Sequence, residues 1–321
     1  MSKLSDKSFK LLITFAHLKF SSKTMNRKSL LVYGSIILAM LFWSFSFVWV
    51  KVVYLVYNPV TTVFLRLLIS SALIFAFGKG FKKISPIDKS DRPSLLVLAF
   101  LEPFLYFMGE SFGLKFVSST VGAVVISTIP LFASIAAYYF HKEKLNNMNV
   151  IGIIVSILGV GIIIFDKSLS LIVSPIGLFC LFVAVGSAVA YSLVLKNLAS
   201  KYNAVTLITY QNTLGIIYFL PVFLIFDWQN FIHATPTKEV MIALLLLAVF
   251  ASTLAFVFFT YGLTHLGITK SNIFINAIPV FTAIFAYFVL GEILNFQKIA
   301  GMMVVISGLF LSQLKFRRKA V

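Results

Sequence analysis

Three ionisable side chains stand where charge is most expensive. Arg66, Glu102 and Glu110 each fall inside a long apolar run, and such groups persist in hydrocarbon only where they are paired, hydrated or used. Arg66 lies about seven residues from one end of its run, roughly 10 Å deep at about 1.5 Å per residue. Glu110 lies about six residues from the matching end of the next run, roughly 9 Å deep. Equal depth on consecutive antiparallel helices predicts an Arg66–Glu110 pair. Two roles are open for it. The pair neutralises itself and fixes helix register, or Arg66 holds a substrate carboxylate in its planar fork.

Glu102 precedes Pro103 and has no cation at matching depth. Burial without a cation favours the protonated form of a carboxylate, which suits proton coupling; the other reading is a neutral acid hydrogen-bonded to a neighbouring helix. Pro103 is expected to free a carbonyl near Ala99. Gln211, Asn212 and Asn276 lie at similar depth in later runs and are candidates for a polar cluster with Glu102. Pro130 and Pro279 sit within two further runs, are expected to free carbonyls around Ile126 and Ile275, and are hinge candidates. With 35 Phe in the chain, most aromatics must face lipid or core. Trp43 differs because it falls near mid-run rather than at an interfacial belt, and is a candidate cavity wall. Gly152, Ser156 and Gly159 share one helix face and point to close helix packing.

Other chemistries find little support. No HExxH, Walker loop, Rossmann glycine pattern or GxSxG elbow is present. His17, His141, His233 and His265 fall outside the runs or at their ends, and the single Cys180 lies inside one. No cofactor or metal is therefore expected. An intramembrane enzyme and a channel stay as alternatives to a carrier. The net charge of +17 does not indicate nucleic acid, because the charges occupy short loops and tails rather than one folded basic face.

The elements that position these residues follow from composition. The 321 residues are 60% hydrophobic and only 12% charged, too apolar for a water-soluble globule. Runs long enough to cross about 30 Å of hydrocarbon as helices recur at about 30–50, 59–78, 94–116, 118–140, 149–165, 175–196, 204–226, 239–264, 270–290 and 296–314. Ten spans put both termini on one side. That side receives 21 of the 27 Lys and Arg residues, and the positive-inside rule makes it cytoplasmic. Residues 1–29 form a cytoplasmic N-terminal segment, within which 1–24 are too short and too charged to span; Met25 is an alternative start. Residues 315–321 form a basic cytoplasmic tail.

The sequence also repeats itself. Residues 113–159 moved by 149 meet residues 262–308 without a gap, with about seventeen identities in forty-seven positions. Gly113-Leu114 meets Gly262-Leu263, Ile129-Pro130 meets Ile278-Pro279, and Glu143, Leu145 and Asn146 meet Glu292, Leu294 and Asn295. An offset of 145 brings Lys51, Asn58 and Thr61 onto Lys196, Asn203 and Thr206. Two repeats are predicted, 30–165 and 175–314. Each holds five spans, an odd number, so they must lie inverted across the bilayer, a plan shared with many secondary transporters. The expected fold is an all-α membrane protein of ten transmembrane helices in two inverted five-helix repeats.

The repeated prolines, Lys142-Glu143 and Gly291-Glu292, the paired glycines 152/301 and 159/308, Phe42-Trp43-Ser44 and Arg66 together resemble the EamA-type repeat of the drug/metabolite transporter superfamily, over about residues 30–314. The first half departs from that pattern at Lys142, where the second has Gly291. The resemblance implies an exporter of amino acids or related small polar metabolites in the bacterial plasma membrane. A nucleotide-sugar or phosphate-type exchanger of the same superfamily is an alternative, and a homodimer is one open arrangement.

Overall fold

The computed structural model describes residues 27–81, 83–141, 147–166, 171–266, 271 and 274–313. Residues 1–24, the alternative start Met25, the Lys142-Glu143 motif and the tail at 315–321 lie outside the described residues.

The protein is all-α, with ten membrane helices in two inverted repeats. Helices α1 (Arg27–Val53), α2 (Pro59–Gly80), α5 (Asn147–Ile164), α6 (Pro175–Ala199) and α10 (Phe296–Gln313) run unbroken. The other five are interrupted. Helix α3 comprises Arg92–Ala99 and Tyr106–Phe116, and α4 comprises Ser119–Ile126 and Ile129–His141. Helix α7 spans Ala204–His233 with a widened turn at Phe223–Asp227, α8 runs from Lys238 to Leu266 with one at Leu247–Leu254, and α9 continues as Ile278–Leu290 after a break. Among the described residues eight stretches are long and apolar enough to cross a membrane, and two shorter apolar helices are the later part of α9 and α10 itself.

The breaks follow the repeat. Helix α4 leaves its path at Ser127–Thr128 and α9 at Asn276–Ala277, positions 149 residues apart. Pro130 and Pro279 are each the second residue of the helix that follows. There a missing N–H costs nothing, because the first helical donors lack intrahelical partners anyway. In α3 the backbone leaves helical geometry at Glu102 itself (φ −143°, ψ 121°). The expected free carbonyl near Ala99 is corrected accordingly. The break falls at the residue before proline, which sterics push towards extended geometry, and the carbonyl it exposes is that of Leu101. That oxygen accepts both the Tyr106 N–H and, at 2.6 Å, the Ser187 hydroxyl of α6.

Small residues set the tightest helix pairs. Across α5 and α10 a Cβ added at Gly159 would stand 2.6 Å from the backbone nitrogen of Val305, and one at Gly308 would meet Ser156. The Ser156 hydroxyl donates to the Val305 carbonyl at 3.1 Å. The small-residue face of α5 is thus a packing surface. Helix α3 meets α6 the same way, with a Cβ at Gly109 falling 2.7 Å from the nitrogen of Ala184. Without a hydrophobic force between helices in lipid, such backbone approach supplies the dispersion contacts that hold them.

Polar clasps at both faces tie one half to the other. On the face where α1 begins, Lys201 and Tyr202 both donate to Asp91, at 2.8 Å each. The bond to Asp91 raises the pKa of the Lys201 ammonium. On the opposite face, Asp227 at the widened turn of α7 accepts from the N–H and hydroxyl of Thr61, at 2.9 and 2.8 Å, and so caps the start of α2.

Candidate functional site

Helices α2, α3, α7 and α8 bring a chain of polar groups into the apolar interior. At its centre is Arg66, only 3% exposed. Its Nε donates to the Ser252 hydroxyl at 2.8 Å, and its guanidinium lies 4.3 Å from the centroid of the Phe107 ring. Ser252 belongs to the widened turn of α8, where the regular hydrogen-bond ladder is relaxed and a hydroxyl faces inward. One turn from Arg66, the Ser70 hydroxyl donates to the Ser252 carbonyl at 3.0 Å. It accepts from Thr253 at 3.0 Å and from the Asn212 amide at 3.3 Å. Three helices from both repeats therefore meet at Ser70.

Glu110 is buried nearby on α3. Its carboxylate accepts from the Tyr106 hydroxyl at 2.9 Å, an i, i+4 contact along one helix face. Arg66 and Glu110 attract each other electrostatically, but neither is the other's bonded partner. The direct pair expected from depth is thus corrected. The depths match, yet Phe107 fills the space beside the guanidinium and Tyr106 occupies the carboxylate, so the charges attract without touching. The Tyr54 hydroxyl of α1 donates to the Ser111 carbonyl at 2.9 Å and joins this group.

Glu102 stands at the break in α3, half-buried. The charge of Glu110 acts on it, and its own charge acts on Tyr191 of α6. The Tyr191 hydroxyl donates to Gln211 Oε1 at 3.1 Å. Of the expected cluster, Gln211 thus comes near Glu102 through Tyr191, whereas Asn212, one residue on and turned by about 100°, reaches Ser70 instead. Asn276 is buried in the break of α9, which then packs on α1 and the first part of α4. Trp43 is half-buried on α1, its ring 5.3 and 5.0 Å from those of Phe256 and Phe259 of α8.

Sequence reasoning missed Ser70, Ser252, Thr253, Tyr54, Tyr106, Phe107 and Tyr191. A usable signal was present in the paired small hydroxyls Ser70-Ser71 and Ser252-Thr253, both in mid-run. Chemically, the arrangement offers a cationic fork, two carboxylates of different surroundings and several phenol hydroxyls at the broken midpoints of helices. No group of three or more His, Cys, Asp or Glu residues placed to hold a metal occurs among the described residues.

This architecture can be set beside known proteins. The sequence profile of the EamA-like transporter family matches residues 30–165 and again 175–314. The chain belongs to the EamA-like transporter family. An Archaeoglobus fulgidus protein, an uncharacterized transporter, is 28% identical over 293 residues, covering 91% of this chain and 99% of the relative. YetK of Bacillus subtilis, also an uncharacterized transporter, is 29% identical over 258 residues, covering 78% and 77% of the two chains. A protein crystal structure superposes with a TM-score of 0.66 at 14% identity, over 87% of this chain and 95% of that one, which supports the fold. This EamA-like chain is an integral membrane transporter, and the polar string through α2, α3, α7 and α8 is its candidate substrate site.

Proposed function

We propose that this transporter exports amino acids or related small polar metabolites from the cytoplasm in exchange for protons, by alternating access between its two inverted halves. Both termini lie in the cytoplasm on this reading, and the membrane is a bacterial plasma membrane. The observation that carries it is the placement of Arg66 and Glu102. Both stand at mid-helix, on walls that belong to both repeats, where inverted-repeat carriers hold substrate. Arg66 uses its Nε–H on Ser252, and a guanidinium has further N–H donors with which to meet a carboxylate in its planar fork. Glu110 balances its charge from α3 without occupying it. Glu102 carries the proton: among the described residues no cation or hydrogen-bond donor fixes its carboxylate, so it can bind and release a proton as its surroundings change. Pro130 and Pro279, each directly after a break, serve as hinge points.

Reconstitution into proteoliposomes tests this. Uptake of labelled amino acids should saturate, follow an imposed pH gradient and collapse with a protonophore. Saturable exchange of phosphate or nucleotide sugars without pH dependence would instead favour the exchanger reading. Conversion of the solute into a product would favour an intramembrane enzyme, and non-saturating flux a channel.

A further inference from the structure

Helices α2 and α7 open with the same two residues. Asn58 and Thr61 stand at the start of α2, and Asn203 and Thr206, 145 positions on, at the start of α7. Each set grips the far end of the other helix. On the face where α1 begins, the Lys83 carbonyl, just past the end of α2, accepts from the Asn203 amide at 3.0 Å and the Thr206 hydroxyl at 3.1 Å. The Thr206 hydroxyl in turn accepts from the Ser85 N–H at 3.0 Å. On the opposite face, Asp227 accepts from the N–H and hydroxyl of Thr61 and, at 3.3 Å, from the Asn58 amide. One orphan donor is met differently at the two ends. Asn203 caps the Thr206 N–H itself at 2.9 Å, whereas Asp227 reaches the Thr61 N–H from the other helix, where a negative charge suits a helix start.

Between these clasps the two helices touch along their length, antiparallel. The rings of Phe64 and Phe223 stack with centroids 4.6 Å apart. A Cβ added at Gly215 would stand 3.3 Å from Leu67 Cδ1, and one at Gly78 would stand 3.1 Å from Val205 Cγ1. Between them the Asn212 amide donates to Ser70. The offset of 145 carries Leu67 onto Asn212 and Ser70 onto Gly215, so it turns the Leu67–Gly215 contact into the Asn212–Ser70 contact. The axis that relates the repeats therefore passes between α2 and α7 at this level. Arg66 projects from α2 beside it, between the Phe64 and Ser70 contacts.

We propose that α2 and α7 form a spine that stays clasped at both ends throughout the transport cycle, with Arg66 as its fixed substrate anchor, while the interrupted helices open around it. The inference rests on the alternating-access reading. An inverted-repeat carrier reaches its opposite state when the halves exchange conformations. A contact that this exchange maps onto itself is the same in both states, and the α2–α7 contact is of that kind. It is also shut at both faces at once, whereas a gate opens on one face while it shuts on the other. Movement then falls to helices with breaks of their own. Helix α9 beyond Asn276–Ala277 is one of these, with Pro279 at its pivot.

Spin–spin distances in lipid nanodiscs test this. Cys180 is replaced by Ser, and spin labels are placed on pairs of cysteines at exposed positions outside the contacts described. Phe77→Cys with Thr213→Cys reports on one half of the spine, and Leu68→Cys with Leu224→Cys on the other. Leu224→Cys with Phe288→Cys spans from the spine to α9. Distances are compared between acid and alkaline buffers, with and without a mixture of the common amino acids. Both spine distances should stay within about 2 Å, the scale of a small helix shift, while the distance to α9 changes by more than that. A spine distance that changes as much as the distance to α9 would overturn the proposal and leave alternating access standing. Three unchanging distances would remove alternating access, and the spine with it.

Discussion

Arg66 on α2 and Ser252 on α8 are joined by a 2.8 Å hydrogen bond that links the two repeats in the interior of the protein. Neither residue belongs to a repeated pair in the comparison of the halves. The bond breaks the twofold likeness at the place where a single asymmetric substrate would be read. Arg66→Lys keeps the charge but loses the planar fork and the Nε contact. It should raise the KM for a carboxylate-bearing solute by about tenfold with little loss of folded yield. Ser252→Ala should raise it by only a few-fold, since about 1 kcal/mol is typical for one net hydrogen bond. Initial-rate measurements in proteoliposomes, with gel filtration for yield, separate the two effects.

The Arg66–Glu110 relationship sets a second expectation. Because Tyr106 holds Glu110 and Phe107 covers the guanidinium, the charges are coupled through space rather than by contact. Glu110→Gln should lower yield and thermal stability by leaving Arg66 uncompensated. Adding Arg66→Gln should recover part of the loss. A double-mutant cycle on thermal midpoints should return a coupling of about 1 kcal/mol, in the range for neighbours in one network. Strict additivity would show that the two charges do not sense each other.

The α5–α10 contact is where size matters most. Gly159→Val would force the helices apart, because even a Cβ there comes within 2.6 Å of backbone. Overpacking of this kind costs about 1–3 kcal/mol, and a clear fall in melting temperature should follow. Gly161, two residues on, has nothing within 4 Å of the position of its Cβ. Gly161→Ala should melt at or slightly above the parent temperature, since alanine is the better helix former.

How far these features were legible in sequence depends on the range of the forces that set them. Span length and hydropathy are local properties, and the ten helices follow from them. The repeat gave the inversion, because five spans per half leave no other arrangement. It also marked Gly152 and Gly159 as packing sites, since a stripe of small residues has meaning on one helix alone. The partners of Arg66 were not legible. Depth along a helix is readable, but rotation about its axis is not, so a pair matched in depth was displaced by Phe107 and Tyr106. The carbonyl opposite Ser187 was misplaced for a related reason. A proline shows where a donor is missing, but whether the helix kinks gradually or breaks at the preceding residue depends on the neighbours that receive it.

Orientation can be checked without function. The basic excess predicts that reporter fusions at the C-terminus and within the Lys79–Arg92 loop are cytoplasmic, while a fusion near Asn230 lies on the other side. Ten spans with inverted halves require this alternation. The same location at all three sites would contradict it.

The last expectation concerns the proton. Glu102 and Glu110 lie on one helix, yet their surroundings differ. Glu110 accepts a phenol hydrogen bond and faces the field of Arg66. Glu102 sits where α3 breaks, beside Tyr191 and with no cation acting on it among the described residues. A group that carries a proton through a cycle must change protonation between states, and the carboxylate less committed to either form does so with less cost. Glu102→Gln should therefore abolish transport driven by a pH gradient, by about a hundredfold if it is the sole carrier, as for intramembrane acids in proton relays. Exchange of substrate for substrate needs no net proton movement and should persist within a few-fold. The two fluxes, measured on the same proteoliposomes, give an internal control, since a folding defect would lower both. Intact pH-driven flux in Glu102→Gln would move the proton to another group, with Glu110 the next to test. Loss of both fluxes at normal yield would make Glu102 part of the substrate contact instead.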